Sequence, residues 1–183
     1  MKETQYGRII SQEIGDIVGN IDQQQLSALV EAIVAAKRVF VCGAGRSLLM
    51  MRAFAMRLMH MGVEAYVVGE TVTPAIADGD LLIAGSGSGQ TRGTLATVQA
   101  ATAHGAQTAV ITAHGDSQMA EACDLVVVVP LSVTDEGGSS SPQPLGSLFE
   151  LSLLVVGDVL VIMLMKRIGA TNEQMLARHT NLE

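Results

Sequence analysis

The chain has 183 residues, of which 49% are apolar and only 3% aromatic, and its formal net charge is −7. This length suits one domain with a substantial core, and a mean hydropathy of +0.39 argues against a disordered chain. The acidic balance and the lack of Lys/Arg-rich runs argue against a nucleic-acid-binding protein.

Two helices are predicted before the first strand, over residues 4–18 and 23–36. Asp22 is placed to cap the second helix. Because both precede any strand, we expect them to pack beside a sheet or against another subunit. The large aliphatic content also predicts a buried interface between subunits.

Five short apolar runs that are typical of strands follow. They cover residues 38–42, 64–68, 81–84, 108–112 and 125–130. Helices are predicted between them at 48–61, 92–104 and 117–123, with a further short helix behind the polar loop 69–74. This alternation predicts a parallel sheet with right-handed crossovers and helices on both faces.

The turn 43–47 (GAGRS) follows the first predicted strand, and we interpret it as one wall of a ligand site. Its GxG lacks the third glycine of a dinucleotide fingerprint, because Leu48 holds that position. Arg46 is placed either to contact phosphate or sugar oxygens or to face solvent at a helix start. The methionines that follow, at 50, 51, 56, 59 and 61, are expected in the core or an interface.

The stretch 85–91 (GSGSGQT) stands between a predicted strand and a predicted helix. Its glycines allow close approach to a ligand, and the helix N-terminus offers unpaired N–H groups and the positive end of a dipole. The hydroxyls of Ser86, Ser88 and Thr91 could donate to phosphate oxygens. We interpret the stretch as a cradle for a small phosphate ester; the alternative is a polar turn with a Ser/Thr helix cap. No Gly-Lys-Ser/Thr follows, which disfavours a nucleoside triphosphate site.

The C-terminal part begins with a predicted loop at 131–145, followed by a long apolar helix to residue 168 and a short helix at 172–178. Ser147 could cap the long helix, with Glu150 completing a capping box. Glu150 could instead act as a base at the mouth of the helix, and one residue could do both.

Position alone gives the four histidines ordinary roles. His60 lies near a helix end, where it could interact with the last carbonyls. His104 and His114 are predicted at the surface, and His179 is predicted to be solvated near the chain end.

The two cysteines, Cys42 and Cys123, lie in apolar runs, and we predict buried, reduced thiols in a cytoplasmic protein. No spacing of Cys and His resembles a zinc site, so no metal is expected. The first ten residues lack the apolar core of a signal peptide. The run 151–165 is shorter than a membrane span of about 20 residues and contains Asp158, which favours a buried helix and no membrane association.

Taken in order, these stretches resemble a known family. GSGSGQT is similar to the phosphosugar-binding motif of SIS (sugar isomerase) domains, and the whole set resembles the 6-phospho-3-hexuloisomerases. The set comprises GAGRS at 43–47, AFAMRLMHMG at 53–62, VGETVTP at 68–74, PLGSLFE at 144–150 and RHTNLE at 178–183. Gln90 stands where such motifs often have Glu, and Leu48 where glycine is frequent.

The resemblance implies a single SIS domain, an α/β three-layer α-β-α sandwich with a five-stranded parallel sheet in flavodoxin-like order 2-1-3-4-5. Its N-terminal helices would occupy residues 1–36, its α/β core 37–130 and its C-terminal helices 146–183. In this order the turns after strands 1 and 3 are neighbours, so 43–47 and 85–91 would converge. The resemblance also implies a homotetramer with active sites at the subunit interfaces.

The implied activity is the reversible conversion of D-arabino-hex-3-ulose 6-phosphate to fructose 6-phosphate, in the ribulose monophosphate pathway of formaldehyde assimilation, without cofactor or metal. By this analogy Glu150 would move a proton between C2 and C3 through an enediol(ate), a task that suits a partly desolvated carboxylate. His60, Arg46 or His179, the last acting across an interface, would supply donors to the enediolate oxygens. The implied substrate-binding residues are Gly45, Arg46, Ser47, Ser86, Gly87, Ser88, Gln90 and Thr91.

Two other functions remain open at this point. One is another aldose–ketose isomerase of the same fold, such as one acting on arabinose 5-phosphate. The other is a non-catalytic sugar-phosphate sensor, although the chain has no basic helix-turn-helix region of the kind that usually accompanies such modules.

Overall fold

The computed structural model describes residues 4–131 and 141–182, so residues 132–140 of the predicted loop lie outside the described residues. Two helices come first, α1 (Thr4–Gly19) and α2 (Gln23–Ala35), each ending within one residue of its predicted bound. The Asp22 carboxylate accepts the Gln24 N–H at 2.7 Å, which confirms the predicted cap of α2.

Five strands form one parallel sheet in the order β2-β1-β3-β4-β5, which confirms the order that the resemblance implies. They are β1 (Val39–Gly43), β2 (Ala65–Val67), β3 (Leu81–Gly85), β4 (Gln107–Thr112) and β5 (Leu125–Val128). Each lies within two residues of a predicted run, because short apolar runs rich in Val, Ile and Leu suit strands buried on both faces. β1 and β3 are neighbours, and their last residues, Gly43 and Gly85, pair in register.

Helices cover both faces of the sheet, as the alternating pattern predicts. The remaining helices are α3 (Gly45–His60), α4 (Arg92–Ala103), α5 (Gln118–Ala122), α6 (Ser147–Ile168) and α7 (Asn172–Ala177). One core joins α2, α3 and α6 to Val41, and the other joins α4 and α5 to Phe40. These two side chains face opposite layers because successive residues of a strand alternate.

The short helix predicted behind the loop 69–74 is wrong, since residues 68–80, all of them described, contain no helix. Pro74 has no N–H and keeps Thr73 out of helical backbone. The Thr73 hydroxyl donates to the Val67 carbonyl at 2.6 Å, and the Asp80 carboxylate accepts the Ala77 N–H at 2.8 Å. These side-chain contacts hold the crossover from β2 to β3 as irregular backbone.

Two predicted helix starts need correction. α3 begins at Gly45 rather than at residue 48, with Ala44 as its N-cap, so the turn after β1 is shorter than predicted. The capping box predicted for α6 is wrong: Gly146 is the N-cap, and in the described part of the chain no side chain caps it. Leu145 has a φ of +54°, so the chain turns into α6 before it reaches Ser147.

α6 is longer than the predicted apolar run and reaches 22 residues. By length and composition it could cross a membrane, but half of its most apolar window is buried inside the molecule. It packs against α3 and α1, with Val156 and Leu160 fully buried. This packing agrees with the predicted buried helix.

Candidate active site

The turns after β1 and β3 lie side by side at the carboxyl edge of the sheet. A Cβ atom added to Gly43 would lie 3.0 Å from the Gly85 carbonyl oxygen, so the two backbones approach as closely as glycine allows. The predicted convergence of GAGRS and GSGSGQT is therefore confirmed. In doubly wound sheets this edge is where ligands bind.

The GSGSGQT turn leads directly into α4 and places its hydroxyl groups close together. The Ser86 side chain is buried, and its Oγ lies 3.3 Å from the Thr91 Oγ1. The Gln90 N–H donates to the Ser88 Oγ at 3.2 Å, and Gly89 has a φ of +60°. This geometry folds three hydroxyl groups into one tight turn.

Thr91 is the N-cap residue of α4, as the helix-cap alternative requires. Within the described residues, however, its hydroxyl accepts no hydrogen bond from the first turn of the helix. The N–H groups at the start of α4 therefore have no side-chain cap at that position, and an anion could take its place. The Thr91 side chain therefore does not cap α4, and the phosphate cradle stays a prediction.

A cavity of about 320 Å³ opens between these turns and the start of α6. It is lined by Ala44, Ser47, Gly85, Ser86, Gly87, Ser88, Thr91, Ala113, His114, Leu131, Gly146, Phe149 and Glu150. Six of the predicted site residues line it, namely Ser47, Ser86, Gly87, Ser88, Thr91 and Glu150. Gly45 and Gln90 lie outside this lining and are exposed.

Glu150 is held in this cavity by Arg46 rather than by the predicted capping box. The Arg46 Nε donates to the Glu150 carboxylate across the gap between α3 and α6. The Glu150 side chain is 15% exposed and that of Arg46 is 55% exposed. Arg46 is thus an exposed residue at the start of α3, as one alternative held, but its guanidinium is already bound to an anionic group.

The other two predicted catalytic residues, His60 and His179, lie elsewhere. Their rings stack with centroids 5.2 Å apart, and they line a second cavity of about 340 Å³ beside α7. His60 is at the far end of α3 from Arg46, and a 16-residue helix separates its ends by roughly 22 Å. Within one chain these histidines therefore do not reach a ligand in the first cavity.

His60 is the last residue of α3, near a helix end as predicted, and it is buried, with only 3% of the residue exposed. Burial lowers the pKa of His60, and the neighbouring His179 and Arg57 lower it further. Arg178 donates to the His60 carbonyl oxygen at 3.3 Å and so ties the C-terminal segment to this end of α3. His179 itself is exposed, as predicted.

His114 is not among the site residues that the sequence predicts. It is exposed, as predicted, but it also lines the first cavity from the loop after β4. Strand order is the signal that would have found it, because β4 is the next neighbour of β3 and its following loop reaches the same edge.

The two cysteines take no part in this site. Cys42 is buried and Cys123 is partly buried, and both are free thiols. Burial raises the pKa of Cys42 to about 12 and that of Cys123 to about 11. Both thiols therefore stay protonated near neutral pH, which does not suit a nucleophile.

Comparisons with known proteins agree with this architecture. A family model described as the SIS domain matches residues 32–155. The chain is 40% identical to the 3-hexulose-6-phosphate isomerase of Bacillus subtilis (strain 168), over 100% of both chains. It is 42% identical to the 3-hexulose-6-phosphate isomerase of Mycobacterium gastri, over 96% of this chain and 88% of the relative.

A solved structure from Methanococcus jannaschii is also similar. It is described as a hypothetical protein whose structure infers a molecular function of 3-hexulose-6-phosphate isomerase. It superposes with a TM-score of 0.83 at 31% identity, over 100% of both chains.

Proposed function

The chain belongs to the SIS domain family, and from that membership we propose that it is a sugar-phosphate isomerase that interconverts D-arabino-hex-3-ulose 6-phosphate and fructose 6-phosphate. One observation carries the proposal: a turn rich in hydroxyl groups and an acidic side chain share a single cavity. The first part suits a phosphate ester, and the second suits proton transfer.

The phosphate group would bind at the GSGSGQT turn. Ser86, Ser88 and Thr91 can donate hydroxyl hydrogen bonds there, and the start of α4 adds N–H groups and the positive end of its dipole. Ser47, on the neighbouring turn, lines the opposite side of the cavity. Gly45 and Gln90 would support this binding through the backbone of their turns.

Glu150 would act as the base. It would take the proton from C2 of the 3-ketose, which leaves an enediol(ate), and return a proton to C3 as the carbonyl forms at C2. The hydroxyl proton moves in the same direction, from the oxygen on C2 to the oxygen on C3, so C2 is oxidised as C3 is reduced and the reaction needs no external oxidant or cofactor. The Arg46 guanidinium, already at the carboxylate, would donate to an enediolate oxygen.

A second copy of the chain would supply His60 and His179. Three exposed apolar side chains, Leu49, Met56 and Met59, follow one another along α3 and are 51%, 45% and 40% exposed. Two copies could pack α3 against α3 in antiparallel fashion about a two-fold axis. The end of α3 that lies beside Glu150 in one copy would then meet the His60 end of α3 in the other. The resulting pair would hold two complete sites.

Two such pairs would form the homotetramer that the resemblance implies. The two free thiols are in keeping with the cytoplasm as its location. The ribulose monophosphate pathway of formaldehyde assimilation is the pathway that this activity would serve.

A coupled assay tests the proposal. Purified protein is supplied with the hexulose phosphate, and fructose 6-phosphate is followed through a reporter enzyme. We expect turnover of this substrate and none of arabinose 5-phosphate. Turnover of arabinose 5-phosphate alone would favour the other isomerase activity, and binding of fructose 6-phosphate without any turnover would favour the sensor.

A further inference from the structure

Hydrogen bonds fix the backbone at His114 beside the candidate active site. The Ala113 N–H donates to the Gly87 carbonyl at 3.1 Å, so the loop after β4 is tied to the GSGSGQT turn. The Thr112 hydroxyl donates to the same carbonyl at 3.3 Å and accepts the His114 N–H at 3.2 Å. The backbone of His114 is therefore positioned by the phosphate cradle itself.

Few side chains around the cavity can form hydrogen bonds. Among the described lining residues, six side chains can form hydrogen bonds: Ser47, Ser86, Ser88, Thr91, His114 and Glu150. The others are Gly, Ala, Leu and Phe. The three hydroxyls of the turn are committed to the phosphate and Glu150 to the reacting carbons, if the proposed function holds.

The open-chain substrate also carries hydroxyl groups on carbons that do not react. A sugar hydroxyl that leaves water without a new partner weakens binding, so these groups need hydrogen bonds in the cavity. Among the described lining residues of the cavity, Ser47 and His114 are the remaining side chains that could provide them. His114 lies on the β4 side of the cradle, whereas Ser47 and the Arg46–Glu150 pair lie on the β1 side.

We propose that His114 hydrogen-bonds a hydroxyl on the carbon chain of the substrate and so helps to select which sugar phosphate binds. This inference rests on the proposed function and adds a specificity residue to it. The imidazole offers one donor and one acceptor in its neutral form, which suits a hydroxyl group. The His114 imidazole would bind the carbon chain of the sugar, and the GSGSGQT turn would bind the phosphate.

Calorimetric binding of fructose 6-phosphate tests the inference without requiring turnover. We expect His114→Ala to raise the dissociation constant about tenfold, the effect of losing one hydrogen bond. His114→Asn keeps a donor and an acceptor, so it should stay within about threefold of the unmutated protein. Inorganic phosphate, titrated as a competitor, should bind both variants within about twofold of the unmutated protein because it has no carbon chain.

His104→Ala is the matched control, because His104 is exposed at the end of α4 and outside this cavity. Fructose 6-phosphate binding within about twofold for His114→Ala would overturn the inference. So would a parallel loss of inorganic phosphate binding, which would place His114 on the phosphate. Ser88→Ala distinguishes a failure of the His114 inference from a failure of the proposed site. If Ser88→Ala also leaves fructose 6-phosphate binding unchanged, the proposed site itself is wrong.

Discussion

The two cavities at the ends of α3 differ in what holds their polar groups. The first is built mainly from backbone turns at the edge of a parallel sheet, and strand register sets their positions. The second is built from side chains of α3, α6 and α7, with two stacked histidines and no comparable turn among its lining residues in the described part of the chain. The first suits an anionic ligand and a base, and the second suits hydrogen-bond donors.

The distance between the two cavities keeps their polar groups apart within one chain. Neither cavity alone contains Glu150 together with His60 and His179, and α3 keeps the two cavities roughly 22 Å apart. A complete site of the proposed kind therefore needs two copies of the chain. If each cavity supplies different groups to one shared site, changes in the two cavities should have separable effects, which are taken here from the largest to the smallest.

Glu150→Gln should have the largest effect. We expect kcat to fall about 10³-fold, because a general base contributes about 10² to 10⁴ and the amide cannot accept the proton. The KM should change little, since the phosphate turn is intact. Glu121→Gln, which changes an exposed carboxylate on α5, is the control. Activity near that of the unmutated protein in Glu150→Gln would end the assignment of the base.

A mixed assembly tests whether the cavities cooperate across copies. His60→Phe, which keeps an aromatic ring but has no donor, should alone lower kcat about 10²-fold. When the Glu150→Gln and His60→Phe proteins are unfolded and refolded together, random pairing should restore about a quarter of the full activity, because some sites then receive both intact residues. No recovery above the sum of the separate variants would show that the two residues do not share a site between copies.

Removing a hydroxyl from the phosphate turn should have a moderate effect. We expect Ser88→Ala and Thr91→Ala each to raise the KM for the sugar phosphate about tenfold, with a smaller change in kcat, because the lost interaction binds a part of the substrate that does not react. Steady-state kinetics measure the two constants. Thr102→Ala, which removes a hydroxyl at an exposed position near the other end of α4, is the control. A flat KM in both variants would move the cradle elsewhere.

The pH dependence of stability should give the smallest effect and concerns the second cavity. Burial lowers the pKa of His60 in the folded chain, so the unfolded chain binds more protons below about pH 6.5. The free energy of unfolding should therefore fall as the pH drops from 8 to 5. His60→Gln should weaken this dependence, and His104→Gln should leave it in place. Urea unfolding at both pH values makes the measurement, and equal slopes for all three proteins would contradict it.

The sheet and its phosphate turn could be predicted because their signals are local. Apolar runs mark the strands, and three glycines with three hydroxyls mark the turn 85–91. The prediction of a short helix behind residues 69–74 was wrong because the polar residues of this segment favour turns as readily as helix. There, Pro74 and the hydrogen bonds of Thr73 and Asp80 decided the outcome.

The rest of the site depends on contacts between residues far apart in the sequence. Arg46 and Glu150 are 104 positions apart, so no spacing rule could reveal that one binds the other. The stacking of His60 on His179 depends on how α7 docks against α3. His114 joins the cavity only because β4 lies next to β3. The capping box at Ser147 had the right residue types, but the backbone at Leu145 set the helix start.

The pairing of Arg46 with Glu150 has a consequence for how a ligand arrives. One positive and one negative group cancel at the entrance, and the molecule as a whole is acidic. A doubly negative ester therefore meets no long-range attraction on its way in. Its capture depends on short contacts made after collision, so added salt should change the rate of encounter far less than it does for proteins that steer their ligands with a charged funnel.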